Sequence, residues 1–217
     1  MKSYVVIGIG RFGAAVAEEL CSLGHEVLAI DDSEENIQRI ADRVTHAVVG
    51  DAKDEAVLKS LGVRNYDCAI VAIGSDISDS VMATLILKEM GIKEIICKAQ
   101  SSVHMKLLQK IGADLVVFPE HDSGVKLAHN LSSSNILNLI ELSDDYSIAE
   151  ISAPKHWFGK SIRELNIRVR YGINIIAVRS SGTDGVQISP QADYEVKPGD
   201  VLFAVGTHEA LNISQEE

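Results

Sequence analysis

Cysteine, proline, aromatic residues and positive charge are all scarce in this sequence, and each scarcity closes off a class of protein. Its three cysteines, Cys21, Cys68 and Cys97, are odd in number, far apart and set beside apolar residues without metal-ligand spacing. They read as buried, reduced thiols rather than a disulfide framework or a zinc site. Four prolines in 217 residues, with 46% hydrophobic and 24% charged residues, describe a folded chain with a substantial core, neither disordered nor fibrous. Long apolar runs are missing as well. No window approaches the ~18 to 20 residues of a membrane span, and no charged leader precedes an apolar stretch. The chain is therefore expected to be cytosolic and soluble by itself, which leaves a membrane protein open as its partner. The 20 Lys and Arg are outnumbered by 31 Asp and Glu, for a formal net charge of −11, and form no basic run. A nucleic-acid target has little to hold it. Catalytic constellations are the last absence: His25, His46, His104, His121, His129, His156 and His208 are dispersed, with no Ser/His/Asp or H-E-x-x-H arrangement. An enzyme is not expected.

What is present is a rhythm. Apolar, β-rich runs recur at 4–9, 26–30, 46–49, 68–73, 94–98 and 114–118, about twenty to twenty-five residues apart, the spacing of βα units. Between them, FGAAVAEELCSLG, SEENIQRIADR, KDEAVLKSLG, SDSVMATLILKEMG and SVHMKLLQKIG have helical periodicity. Gly24, Gly62, Gly91 and Gly112 stand where left-handed C-terminal caps belong. Continuous apolar strands alternating with helices predict an α/β fold, a Rossmann-like, doubly wound parallel sheet covered on both faces. After Pro119 the pattern changes. EHDSGVKLAHNLSSSNILNLIEL reads as one or two helices with no strand between them, a crossover. From about Tyr146, short β-like runs at YSIAEIS, NIIAVR, VQIS and VLFAVG follow, with turn signals at Ser181-Gly182, Asp184-Gly185 and Pro198-Gly199 and a helix around SIREL. They predict a small α+β lobe. The expected boundaries are residues 1–119, 120–143 and 144–217.

The stretch VVIGIGRFG carries the chemistry. Gly8, Gly10 and Gly13 give the G-x-G-x-x-G spacing at the first strand–helix junction. The first permits the turn, the second lets a pyrophosphate approach the backbone, and the third lets helix and strand pack closely. The helix N-terminus then favours an anion. An acidic pair, Asp31-Asp32, closes the second strand. Asp31 is placed to accept hydrogen bonds from ribose hydroxyls, and its charge would repel a 2′-phosphate. The pattern points to an adenine nucleotide without that phosphate, the alternative being a structural turn. Arg11 lies inside the loop, where a guanidinium can pair with phosphate oxygens in a fork. Such a residue suits a site that counts phosphates. The alternative is an exposed arginine stacked on the sheet edge.

At this point VIGIGRFG, LAIDDSEEN, THAVVGDAKDE, LGVRNYDCAIVAIG, ATLILKEMG, KAQSSVHMKLLQKIGAD and FPEHDSGVKLAHNL together resemble the RCK domain, the regulator of potassium conductance in cytosolic subunits of the Ktr and Trk uptake systems. The likeness runs over essentially the whole chain. It implies a homo-oligomer, dimers assembling into an octameric ring beneath a KtrB-like membrane potassium channel subunit, switched by ATP versus ADP. It further implies that Gly8, Gly10, Arg11, Phe12, Gly13, Asp31, Asp51, Ala52, Gly74 and Lys98 surround the nucleotide, with Arg11 reaching the terminal phosphate across the dimer interface. Glu120 matches a glutamate that helps bind a divalent cation, Mg2+ or Ca2+, beside the nucleotide. Read from the residues alone, Lys98 could be a solvated strand-end charge and Glu120 an acid stabilising a helix dipole.

The C-terminal lobe resembles the family module that binds cyclic di-AMP between two protomers. By that likeness Ile162, Leu165, Ile167 and Ile175 supply apolar contact for the bases, Arg168 pairs with a phosphate, Asn174 bonds an adenine edge or backbone, and Pro190 lines the cleft. The alternative is a dimerising lobe in which these apolar residues are core. Three rival functions remain: a redox sensor that binds NAD(H); a small NAD-dependent oxidoreductase, which would need an acid or base that the sequence does not display; and a DNA-binding redox repressor, against which stand the acidic charge and the lack of a helix-turn-helix unit before the nucleotide lobe.

Overall fold

The computed structural model describes residues 1–132, 136–143, 145–182 and 185–211. It divides into two compact units, Met1–His121 and Asp122–Glu217.

The N-terminal unit alternates strand and helix: β1 Ser3–Ile7, α1 Arg11–Ser22, β2 Glu26–Asp31, α2 Glu34–Ile40, β3 His46–Val49, α3 Glu55–Ser60, β4 Cys68–Val71, α4 Ile77–Glu89, β5 Glu94–Lys98, α5 Ser102–Ile111 and β6 Leu115–Val117. Six strands pair in parallel in the order β3-β2-β1-β4-β5-β6, the doubly wound sheet that the rhythm predicts. Successive residues of the central strands feed opposite faces. Val5, Ile7, Leu28, Ile30, Ala69 and Val71 join one buried cluster, while Val6, Val27, Ala29, Cys68 and Ile70 join the other. A strand buried on both faces needs no polar alternation, which is why these read as continuous apolar runs. Gly24, Gly62, Gly91 and Gly112 all have positive φ and end their helices as the sequence suggests.

Cys68 and Cys97 are buried free thiols and Cys21 is a half-buried one. Burial pushes the Cys68 thiol up to about 12 and the Cys97 thiol up to about 11. At neutral pH neither is a nucleophile.

Helix α6 runs Pro119–Ser132, with proline in the first turn, where its missing N–H costs nothing. The C-terminal unit contains β7 Ile136–Glu141, β8 Tyr146–Ser152, α7 Ile162–Leu165, α8 Ile167–Tyr171, β9 Asn174–Arg179, β10 Val186–Ile188, β11 Val201–Thr207 and α9 His208–Leu211. Its sheet is antiparallel in the order β10-β9-β11-β8-β7, so the small α+β lobe forms as expected. The β7 residues correct the reading of 120–143 as helical throughout. The register of β7 against β8 shifts between Ile136 and Asn138. That bulge lets both Ile136 and Leu139 pack on the core, so an i, i+3 spacing that mimics a helix is produced by a strand. The Asp184-Gly185 turn signal falls partly outside the described residues.

The core of this unit centres on Trp157, fully buried, whose indole N–H donates to the Tyr171 hydroxyl at 3.3 Å. Helix α7 starts with a capping box: Ser161 accepts from the Glu164 backbone N–H, and Glu164 accepts from that of Ser161. Among the described residues, no helix is long and apolar enough to cross a membrane.

Candidate functional site

Strand order reverses between β1 and β4, the place where an open α/β sheet leaves a crevice beyond its strand ends. The loop from Gly8 to Gly10 lies there. Gly8 has φ +91°, and a Cβ on it would come within 2.8 Å of the Ile73 nitrogen. A Cβ on Gly13 would lie 1.9 Å from the Gly8 carbonyl oxygen. These two glycines are demanded by the fold. Gly10 differs: its φ is −73° and a Cβ would meet nothing within 4 Å. The space beside it is open, as a phosphate cradle would require.

Gly10 is the N-cap of α1 and offers no side-chain cap, and the first turn of α1 carries no acid. By contrast α2, α3, α4 and α5 are capped by the side chains of Ser33, Asp54, Asp76 and Ser101. The positive end of α1 therefore carries neither a side-chain cap nor an acid of its own, and Arg11, its first residue, is exposed there.

Asp31 closes β2 and is 8% exposed. It accepts hydrogen bonds from the Ile9 N–H, from the Ser33 N–H at 2.8 Å and from the Asn36 amide at 3.0 Å. A carboxylate has about four acceptor sites, so capacity remains for one further donor. The same carboxylate also fastens the glycine loop to α2. The pairing with Ile9 and Asn36 was not legible in the sequence, because any asparagine in a helix's first turn looks like a surface residue.

Asp51 and Ala52 follow β3, and the Gly50 N–H donates to the Asp31 carbonyl at 2.9 Å. Ala52 is buried, while the exposed Asp51 accepts from the Lys53 N–H at 2.9 Å. Lys53 pairs with Asp79 on α4 at 3.0 Å. It joins the loop after β3 to the first turn of α4, a role the sequence did not advertise. The hydrogen bond to Asp79 pushes its pKa up.

Lys98 ends β5 and is brought to three other expected residues. Its ammonium lies 2.6 Å from Glu120 Oε1 and 5.7 Å from the centre of the Phe12 ring, and a Cβ on Gly74 would be 3.7 Å from it. Lys98 is not a solvated strand-end charge, since its side chain is 13% exposed against 62% for Glu120. The Lys98 hydrogen bond holds the Glu120 carboxyl below the usual carboxylate range; its own backbone N–H and the charges of Lys98 and Arg11 act in the same direction. Among the described residues, no group of three or more His, Cys, Asp or Glu could hold a metal ion. One carboxylate, paired with a lysine and within the field of an arginine, does not fit a divalent cation by itself, because such an ion wants six or more oxygen ligands.

In the C-terminal unit the expected cyclic di-AMP residues divide. Arg168 and Asn174 are exposed; Ile162, Ile175 and Pro190 are half-buried. Leu165 and Ile167 are each 3% exposed and belong to the core. The capping box and the left-handed Asn166 (φ 45°) accompany this inward packing of both side chains.

The chain matches the TrkA-N domain over residues 4–119 and the TrkA-C domain over residues 147–212. It is 46% identical over 205 residues to the Ktr system potassium uptake protein A of Bacillus subtilis, covering 94% of this chain and 91% of the relative. To the Ktr system potassium uptake protein C of the same organism it is 44% identical over 206 residues, covering 95% and 92%. The solved GsuK RCK domain superposes with a TM-score of 0.69 at 24% identity, over 97% of this chain and 46% of that one, a likeness of fold. This chain spans about half the length of that solved chain. With both of its units matched and its parallel sheet doubly wound, the chain belongs to the TrkA-N/TrkA-C family, alongside the Ktr system potassium uptake proteins.

Proposed function

We propose that this chain is the nucleotide-sensing regulatory subunit of a potassium uptake system, that it binds ATP or ADP in the crevice of the N-terminal unit, and that it gates a KtrB-like membrane channel subunit rather than catalysing a reaction. The observation that carries the reading is Arg11, exposed as the first residue of an uncapped helix beside a glycine that leaves its space unfilled. ATP and ADP share base, ribose and two phosphates, so only contacts to the third phosphate can bias one conformation over another. The exposure of Arg11 at the start of α1 supports giving it that contact.

Assembly into a ring of dimers is supported by α4, which buries Ala83, Ile86 and Leu87 while leaving Ile77, Met82 and Leu85 at 42%, 42% and 37% exposure. On α5, Val103 and Leu107 are also exposed. Apolar residues on an outer helix face suit a contact with another copy. Cyclic di-AMP in the C-terminal lobe would meet Ile162, Arg168, Asn174, Ile175 and Pro190, with Leu165 and Ile167 packed behind them. We assign the nucleotide lobe to 1–119, the crossover to 120–143 and the second ligand lobe to 144–217.

A second reading, an NAD(H) redox sensor, is favoured by Asp31 and the glycine spacing, which serve a dinucleotide equally well. Calorimetric titration with ATP, ADP and NADH, each with and without Mg2+, while the oligomeric mass is followed, separates the two. Tight ATP and ADP binding to a large ring supports the first, and preferential NADH binding removes the role given to Arg11.

A further inference from the structure

Lys98 and Glu120 are unequal partners. The ammonium is nearly enclosed, with 13% of its side chain exposed, whereas the carboxylate is 62% exposed. An enclosed charge needs a counter-charge, because it has lost most of its water; an exposed carboxylate can turn into water at little cost. The enclosure is built from the phosphate crevice itself. Phe12 stands in the first turn of α1, Gly74 follows β4, and both flank the ammonium. Glu120 comes from elsewhere, the first turn of α6. The pair therefore brings a carboxylate from the crossover helix onto a cation that faces a site otherwise arranged for phosphate.

We infer that Glu120 is the built-in counter-ion of Lys98, and that an incoming phosphate group takes its place on the ammonium and releases the first turn of α6. The inference rests on the phosphate-binding reading of the crevice. A phosphate carries more charge than a carboxylate and three acceptor oxygens, so it displaces Glu120 without leaving Lys98 unpaired. The exchange also accounts for the poor fit of Glu120 to a divalent cation: while it is bonded to Lys98 it is not available as a metal ligand. Phosphate binding and release of α6 become a single linked event, and by reciprocity anything that holds the first turn of α6 in place weakens phosphate binding.

The test is calorimetry in EDTA on the full chain, with ATP and with inorganic tripolyphosphate as probes. Wild type, Glu120→Gln, Lys98→Gln and the double variant are compared after their circular dichroism is shown to match. Removing the competitor is expected to tighten both probes roughly three- to tenfold in Glu120→Gln. In the Lys98→Gln background the same change is expected to do nothing, and hydrogen exchange at residues 123–126 of the wild type, whose N–H groups bond the carbonyls of the first turn, is expected to speed up when either probe binds. Equal affinity in Glu120→Gln and wild type overturns the exchange. So does an equal gain in the Lys98→Gln background, which would make the effect a general one of removing negative charge. If wild type binds tripolyphosphate but not ATP, the nucleotide reading fails and the exchange is judged on tripolyphosphate alone. Binding of neither overturns it.

Discussion

Gly8 has less freedom than any other residue of the loop. Its φ of +91° and the 2.8 Å approach to Ile73 make Gly8→Ala a clash against backbone, expected to lower stability by about 2 to 4 kcal/mol in denaturant unfolding. Arg11 is the opposite case, exposed at the start of α1. Arg11→Ala should leave the melting temperature within about 2 °C of wild type and abolish the difference between ATP and ADP in oligomer shape, as followed by small-angle scattering. Of the thiols, Cys21 alone should react with an aromatic disulfide reagent in the native chain at pH 7.5, since burial lifts Cys68 to about 12 and Cys97 to about 11. The glycines, Arg11 and Asp31 could be read from spacing, because a loop motif is local. That Lys98 meets Glu120 could not, because the pairing depends on where β5 and α6 end in space.

At the scale of elements, helix ends are where sequence speaks most clearly. Ser101 caps α5 by accepting from the His104 N–H at 3.1 Å, and Ser101→Ala is expected to cost about 1 kcal/mol. His104 itself is buried, its Nδ1 accepting from the Gln100 N–H at 3.3 Å. Burial pushes its pKa down, so the unfolded chain takes up that proton first. The stability it contributes is complete above about pH 6.5, the unfolded value, and is lost as pH falls towards the lower folded one. His104→Gln should flatten the slope of unfolding free energy between pH 7 and 5. The six parallel strands were legible because burial on both faces leaves unbroken apolar runs. β7 was not, because its bulge places Ile136 and Leu139 on one side, as a helix would.

At the scale of the whole molecule the two units have separate cores, one built on both faces of the parallel sheet and one around Trp157. Trp157→Ala should cost the C-terminal unit about 3 to 5 kcal/mol. In calorimetry it is expected to split the unfolding transition in two, with the upper one retaining the N-terminal unit. Asp31 has a consequence for redesign. In many dinucleotide folds, preference for a 2′-phosphate can be acquired by exchanging the acid that ends the second strand. Here that acid also fastens Ile9, Ser33 and Asn36, so the change would unfasten the loop it was meant to retune. On the proposed reading, selectivity and architecture would rest on a single carboxylate, and turning the lobe towards a 2′-phosphate would require several residues to change together.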